Sequence, residues 1–165
     1  MWMNYRADRA KQILSSIVNS GTFDAFPVTD MSDTLVFSFL PVDKKIKTFN
    51  LIEPLTVKNS LGLYLSELDF TQARIAESEK FPHVTYFFDG GVDGKIKGCD
   101  KFHIPSPSVA TYDLKPEMSC VEVTKRVILS MKNDYDFILV NFANPDMVGH
   151  TGNLEATIKA CVTVD

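Results

Sequence analysis

The spacing of apolar residues predicts four helices. Residues 4–19 carry apolar side chains at intervals of three and four, which is the period of one helix face. Ser60 can cap a second helix, and Asn153 can cap the last one. Pro116 suits the first turn of the helix between them, which is expected to run to Lys132. The side chains expected to face inward on the last two helices are Met118, Val121, Ile128, Met131, Leu154, Ile158, Cys161 and Val162.

Extended segments fall between these helices. Residues 34–42 and 46–52 are rich in Val, Phe, Leu and Ile, which predicts a hairpin or two adjacent edge strands. Residues 74–76 favour a short strand, whereas residues 80–88 fit either a helix or a strand. Residues 135–143 form a near-continuous apolar run, which predicts a strand buried on both faces of a parallel sheet. Helix, buried strand, loop and helix in this order predict an α/β layered fold.

Composition narrows the class of protein. The chain has 165 residues, of which 45% are apolar and 23% charged, the balance of a soluble globular protein. Its 21 acidic and 17 basic residues give a net charge of -4 without a long run of either sign, so we expect no nucleic-acid or anionic-membrane surface. Cys99, Cys120 and Cys161 match no zinc or disulfide spacing and are expected to be free thiols. Since neither a membrane span nor a signal peptide is visible, we expect an intracellular location.

Chemistry-bearing residues concentrate in residues 144–150, directly after the predicted buried strand. In open α/β sheets, ligands bind beyond the carboxyl ends of the strands. Asp146 offers carboxylate oxygens and His150 an imidazole nitrogen, and a spacing of four places them side by side on one helical turn. Such mixed ligands suit Mn2+, Zn2+ or Fe2+. Because two ligands do not complete a metal site, a turn-capping aspartate beside a structural histidine is the alternative.

Two arginines and a lysine are candidate anion-binding residues. Arg6 and Arg9 lie three apart, so on a helix they would share one side and could bind a phosphate or carboxylate group together. A solvated basic face is the alternative interpretation. Lys80 precedes an aromatic segment and, by itself, is equally compatible with an ordinary surface lysine. His83 and His103 are expected to be structural.

Several longer blocks of the sequence resemble one family. They are residues 4–10, most of residues 74–91, most of residues 105–119, and residues 141–152 with the core Asn-Pro-Asp-Met-Val-Gly-His-Thr-Gly. In content and order these blocks resemble the cofactor-independent phosphoglycerate mutases of the alkaline phosphatase superfamily. The resemblance covers nearly the whole chain.

The resemblance implies a fold, an activity and residue roles. The fold would combine the end of an α/β transferase domain with a three-layer α/β/α, alkaline-phosphatase-like domain. The activity would be the interconversion of 3-phosphoglycerate and 2-phosphoglycerate in glycolysis, through a phosphoserine and two Mn2+ ions and without 2,3-bisphosphoglycerate. Arg6 and Arg9 would hold the substrate, and Lys80 would reach the phosphoryl group. Asp146 and His150 would bind one manganese ion. The complete enzyme would be a cytoplasmic monomer.

The resemblance also implies that the chain is an internal piece of a longer protein. The family's nucleophilic serine and its remaining metal ligands have no counterpart in these residues. Residues 1–54 would then belong to the transferase domain, residues 55–60 to a linker and residues 61–165 to the phosphatase-like domain. We therefore expect the isolated chain to be inactive and to bind Mn2+ weakly at most. The alternatives are a related metal-dependent phosphatase or phosphopentomutase, and a non-catalytic binding module.

Overall fold

The computed structural model describes the chain except for residues 5, 7–9, 32, 54–56 and 93. The chain divides into two compact units, Met1–Leu55 and Thr56–Asp165. None of the helices in the described ranges combines the length and the apolar content that crossing a bilayer requires.

Among its described residues, the first unit contains one helix and one pair of short strands. Helix α1 spans Ala10–Val18. Strand β1, Phe37–Ser38, pairs with β2, Phe49–Asn50. The predicted strands are adjacent, but they run parallel and so do not form a hairpin. A buried hydroxyl supports the pairing, since Ser38 Oγ donates to Asn50 Oδ1 at 2.9 Å.

The second unit is built on a parallel sheet with the strand order β4-β3-β5. Two 3-10 helices, Ser78–Lys80 and Tyr112–Leu114, follow the first two of its strands in the chain. The strands are β3 (Gln72–Glu77), β4 (Cys99–Ile104) and β5 (Phe137–Asn141). The helices are α2 (Leu61–Glu67), α3 (Phe81–Val84), α4 (Cys120–Lys132), α5 (Asn144–Gly149) and α6 (Leu154–Val164).

Helices cover both faces of the central strand β3, all of whose residues are buried. Successive side chains of a strand point to opposite faces. On one face, Ile75 shares a buried apolar cluster with Val123 of α4. On the other face, Gln72 Nε2 donates to the carbonyl oxygen of Gly62 in α2 at 2.9 Å. The predicted α/β class, with a parallel sheet between layers of helices, is confirmed.

The burial of the strands differs from the prediction. The apolar run of residues 135–143 predicts a strand buried on both faces, but β5 is half-buried and has one neighbouring strand among the described residues. The central position belongs to β3, of which the pattern marked residues 74–76 alone. Strand β4 was not predicted, because its sequence places Asp, Lys and His between its apolar residues. Strand order depends on which segments pair, and local apolar content does not specify that pairing.

The predicted caps are confirmed. Ser60 precedes α2, and its hydroxyl accepts a hydrogen bond from the N–H of Leu63 at 3.4 Å. Asn153 precedes α6, and its Oδ1 accepts from the N–H of Ala156 at 3.1 Å. Both side chains satisfy backbone donors that a helix leaves unpaired in its first turn.

The predicted start of α4 and the inward faces of α4 and α6 are wrong. Helix α4 begins at Cys120, not near Pro116, since Met118 adopts a left-handed φ of 42° that interrupts a helix. Small side chains allow close packing, and the buried residues of the two helices are Cys120, Val123, Ser130, Ala156 and Ala160. Of the side chains expected inside, Met118 is buried. The others are exposed: Val121, Ile128, Met131, Leu154, Ile158, Cys161 and Val162.

Candidate metal and anion site

The carboxyl ends of the three parallel strands meet at one edge of the sheet. Strand β3 leads into the 3-10 helix that ends with Lys80. Strand β5 leads into α5, which carries Asp146. Strand β4 leads into the loop that contains Ser106. This is the edge at which an α/β sheet binds its ligands, and the structure brings Lys80 and Asp146 into contact there.

Asp146 lies at the centre of this site. Lys80 Nζ donates a hydrogen bond to Asp146 Oδ2. The other carboxylate oxygen, Oδ1, lies 3.4 Å from His150 Nε2. The four-residue spacing therefore places the carboxylate beside the imidazole, as the sequence predicted.

Electrostatics keeps Asp146 ionised. The hydrogen bond from Lys80 is the largest influence and lowers the pKa of the carboxyl group, whereas burial, the second influence, acts in the opposite direction. The Lys80 side chain is 14% exposed, whereas those of Asp146 and His150 are 50% and 70% exposed. An ionised, accessible carboxylate beside an accessible imidazole is able to bind a cation.

Buried contacts fix the position of α5. Val148 is fully buried in a cluster with Ala156 and Ala160 of α6. Asn144, also fully buried, donates from Nδ2 to the carbonyl oxygen of Pro116 at 2.9 Å. Because these buried contacts fix α5, they also fix the position of Asp146 on that helix. The sequence placed Asn144 in the chemistry-bearing segment 144–150 but assigned it no role of its own.

Hydrogen bonds from other segments surround the turn that carries Lys80. Ser106 Oγ donates to Glu77 Oε2 at 2.9 Å, and burial raises the pKa of Glu77. Tyr112 Oη donates to Glu79 Oε1 at 2.8 Å. Ser78 Oγ lies 2.9 Å from His103 Nε2, which agrees with the structural role expected of that histidine. Among these groups, Ser106 and Tyr112 were not singled out by the sequence as site residues.

The arginines belong to the first unit, and the structure describes one of them. Arg6 lies before α1, where its backbone N–H donates to Asn4 Oδ1 at 2.8 Å. The prediction that places Arg6 on a helix face beside Arg9 is therefore wrong, because Arg6 is not helical. Arg9 lies outside the described residues.

The donor set fits a divalent cation in kind. A carboxylate oxygen and an imidazole nitrogen are ligands of Mn2+, Zn2+ and Fe2+. Within the described ranges, no three His, Cys, Asp or Glu residues group as a complete metal site, so further ligands would be required. The cysteines do not supply them: Cys99, Cys120 and Cys161 are free, as expected, and burial raises the pKa of the Cys99 and Cys120 thiols.

The second unit is thus a parallel α/β unit with a carboxylate and an imidazole at the carboxyl edge of its sheet. Residues 10–165 match the model of the Metalloenzyme superfamily, and the chain belongs to that family. It is similar over its entire length to the 2,3-bisphosphoglycerate-independent phosphoglycerate mutases of Clostridium beijerinckii and Clostridioides difficile, with 47% identity to each. The resemblance seen in the sequence motifs is thus confirmed.

A solved structure supports the same relationship. The phosphoglycerate mutase of Leishmania mexicana, crystallised at low cobalt concentration, matches 98% of this chain with a TM-score of 0.77 and 29% sequence identity. The match covers 30% of that protein, and the chain likewise covers 32% of each clostridial relative. The chain therefore spans about a third of the length of the curated relatives it matches.

Proposed function

We propose that this chain forms part of an enzyme that interconverts 3-phosphoglycerate and 2-phosphoglycerate without 2,3-bisphosphoglycerate, and that it supplies part of the active site. The observation that carries the proposal is the contact between Lys80 and Asp146 beside His150. This group combines a cation for a phosphoryl oxygen with ligands for a metal ion. Phosphoryl transfer relies on such an arrangement, since its transition state is stabilised mainly by positioning and by positive charge.

Asp146 and His150 would hold one divalent metal ion, with Mn2+ as the expected ion. A bound divalent cation would act as a Lewis acid and stabilise negative charge on phosphoryl oxygens. The lowered pKa of Asp146 supports this role, because the carboxylate is available at neutral pH without first losing a proton. The ligands of the second metal ion, and the serine that accepts the phosphoryl group in the family mechanism, would come from outside this chain.

Lys80 would contact the transferring phosphoryl group. Its side chain is 14% exposed, and a charge that is largely removed from water interacts more strongly with an anion than a solvated one. Arg6 and Arg9 would bind the phosphate or carboxylate of the substrate from the first unit, since guanidinium groups recognise both in a bidentate manner. Residues 1–54 would belong to the substrate-binding transferase domain, residues 55–60 to a linker and residues 61–165 to the phosphatase-like domain. The complete enzyme would act in glycolysis as a cytoplasmic monomer.

A replacement experiment tests the proposal. The matching third of the Clostridium beijerinckii mutase is exchanged for this chain, and conversion of 3-phosphoglycerate is measured with Mn2+. We expect an active hybrid, and we expect Asp146→Asn to lower kcat/KM by about 100-fold because a metal ligand is lost. The control is Asp69→Asn, which removes an exposed aspartate that also pairs with a lysine, Lys97, and should leave the activity unchanged.

Two results would contradict this assignment. Equal activity of the Asp146→Asn and Asp69→Asn hybrids would exclude Asp146 from the metal site. Turnover of 3-phosphoglycerate by the isolated chain would contradict the claim that the chain supplies a part of the active site. We expect the isolated chain to show no turnover and to bind Mn2+ weakly.

A further inference from the structure

We propose that Tyr112, assisted by Ser106, is a positioning residue that sets the place of Lys80 relative to Asp146. The inference rests on the role proposed above for Lys80. Neither Tyr112 nor Ser106 is among the candidate site residues that the sequence indicated. Both side chains would act on how the ammonium group is held, and neither is assigned a contact with substrate.

The helical turn that carries Lys80 is too short to be stable without contacts from other segments. It is the 3-10 helix Ser78–Lys80, three residues long, which runs directly into the four-residue helix α3, and neither helix has a side-chain cap at its N-terminus. A single 3-10 turn has weak hydrogen-bond geometry and gains little from cooperativity. Lys80 adds four rotatable methylene bonds between this turn and its charge. A defined position for the ammonium group therefore requires support from outside the turn.

Tyr112 supplies such support from two directions. Its hydroxyl donates to Glu79 Oε1 at 2.8 Å, on the residue next to Lys80. Its ring packs against the apolar cluster that includes Met118 and Val148. Val148 belongs to α5, the helix that carries Asp146. One side chain thus connects the neighbour of Lys80 with the core that fixes Asp146.

The phenol is suited to this role because it remains a donor. Burial, together with the hydrogen bond to Glu79, raises the pKa of Tyr112 to about 12. The hydroxyl is therefore protonated throughout the neutral range and can donate to the Glu79 carboxylate. A hydrogen bond to a charged acceptor contributes more than one between neutral groups.

Ser106 holds the preceding residues of the same turn. Its Oγ donates to Glu77 Oε2 at 2.9 Å and lies 3.4 Å from the backbone nitrogen of Glu79, from which it accepts. Its own backbone N–H donates to Ser78 Oγ at 3.1 Å. Three successive residues before Lys80 are thereby tied to the loop after β4. Together with the contact of Tyr112, these contacts restrict the movement of the backbone from which the Lys80 side chain extends.

The first test observes the ammonium group of Lys80 directly in the full chain. A hydrogen bond to Asp146 slows the exchange of ammonium protons with water, so a 1H–15N spectrum of the lysine side chains at low temperature should show a protected signal that Lys80→Met removes. We expect Tyr112→Phe to weaken this signal by several-fold. The matched control is Tyr135→Phe, which removes a similar bond from Tyr135 Oη to Asp100 at 2.5 Å, near the amino ends of β4 and β5, and should leave the signal intact.

Three results of this test would overturn the inference. They are a protected signal that survives Tyr112→Phe, an equal loss in Tyr112→Phe and Tyr135→Phe, and the absence of any protected Lys80 signal in the unsubstituted chain. The first would show that Tyr112 does not hold the ammonium group. The second would indicate a general loss of structure, and the third would mean that the group is not held.

The second test uses the hybrid enzyme and the conservative variant at Glu79. Because a carboxamide oxygen still accepts from the phenol, although without a charge, Glu79→Gln should keep more activity than Glu79→Ala. Glu79→Ala and Tyr112→Phe should each lower kcat by about 10-fold with little change in KM. The double variant should lose no more than either single variant, since both break one contact. Additive losses, or a Glu79→Gln enzyme as impaired as Glu79→Ala, would overturn the inference.

The two tests separate this inference from the proposed function. If the phosphoglycerate activity is wrong, the Lys80 signal should still depend on Tyr112 and not on Tyr135. If the positioning role is wrong, the hybrid enzyme would be active and would lose activity on Asp146→Asn, but Tyr112→Phe would leave the Lys80 signal unchanged.

Discussion

Two ion pairs of the second unit each include a basic residue on, or just after, strand β3, but one pair is buried and the other is partly exposed to solvent. Arg74, in the middle of β3, has its Nη2 atom 3.6 Å from Asp89 Oδ1, and both side chains are fully buried. Lys80, just beyond the end of β3, pairs with Asp146, whose side chain is half-exposed. The Arg74 guanidinium lies 4.2 Å from the centre of the Phe88 ring, so the first pair is enclosed by the protein. The second pair opens to solvent.

The pKa values of the two carboxyl groups shift in opposite directions. Burial raises the pKa of Asp89 against the opposing charge of Arg74. The hydrogen bond from Lys80 lowers the pKa of Asp146. Among the described residues, neither carboxylate oxygen of Asp89 accepts a hydrogen bond. The comparison shows that a charged pair inside the sheet serves the structure at an energetic cost, whereas a pair at its carboxyl edge keeps an ionised group available for chemistry.

The largest effect is expected from breaking the buried pair. Arg74→Met would leave Asp89 buried without its counter-charge and would also remove the 2.6 Å hydrogen bond from Arg74 Nη2 to Gln72 Oε1. We expect the free energy of unfolding of the full chain to fall by about 3–5 kcal/mol, measured by urea denaturation. The control, Lys97→Met, breaks an exposed pair and should cause no measurable change. Equal stability of the two variants would remove the structural role of the Arg74 pair.

A smaller effect should follow from crowding the same pair. A Cβ atom at Gly62 would lie 2.3 Å from Asp89 Oδ1 and 2.5 Å from Arg74 Nη2. We expect Gly62→Ala to destabilise the chain by about 1–3 kcal/mol, since overpacking of a fully buried site forces its side chains apart. Gly149→Ala is the matched helical control, because nothing lies within 4 Å of a Cβ atom there. A Gly62→Ala chain as stable as the control would show that α2 can move away from the pair.

The exposed pair should matter less for stability and depend on pH in a defined direction. We expect Lys80→Met to cost about 0.2–1 kcal/mol near neutral pH, because Asp146, the half-exposed partner, is screened by water even though Lys80 is largely buried. The pKa of Asp146 is lowered from 3.8 in the folded chain, so the contribution of the pair is present above that value and is lost as the pH falls through the folded pKa. Unfolding free energies of both proteins between about pH 7 and pH 3 check this. A difference that grows on acidification would contradict the assignment.

The smallest expected effect is a pH dependence of the unfolding free energy that has the opposite sign and arises from Asp89. Because the pKa of Asp89 is raised above 3.8 on folding, its protonated form stabilises the folded state at low pH, and that stability is lost as the pH rises through the folded pKa. Relative to Asp89→Asn, which does not titrate, the unsubstituted chain should therefore lose stability between about pH 4 and pH 7. Denaturation of both chains at several pH values measures the difference. A parallel pH dependence would mean that Asp89 titrates normally.

Local signals predicted much of this molecule. Ser60 and Asn153 cap the helices that their chemistry predicted, because a cap involves atoms within three residues. Asp146 and His150 lie side by side because a spacing of four on a helical turn brings them together. The α/β class followed from the order of the elements.

Other features were beyond local reasoning, because they depend on segments that are distant in the sequence. The larger apolar residues of α6 are exposed because Ala156 and Ala160 make the close contact of α6 with α5. The contact of Tyr112 with Glu79 joins residues 33 positions apart. No periodicity carries that information, since it depends on how two loops meet at the edge of the sheet.

By itself, the sequence determined the family resemblance, the helix caps, the α/β class and the donor pair at the end of β5. Each of these depends on residue type and on short spacings, which act through local geometry. The tertiary structure alone decided that β3 is the central strand, that Arg74 and Asp89 are enclosed, and that Lys80 pairs with Asp146 across 66 positions of the chain. Those features follow from strand pairing and burial, which are decided when distant segments exclude water from one another.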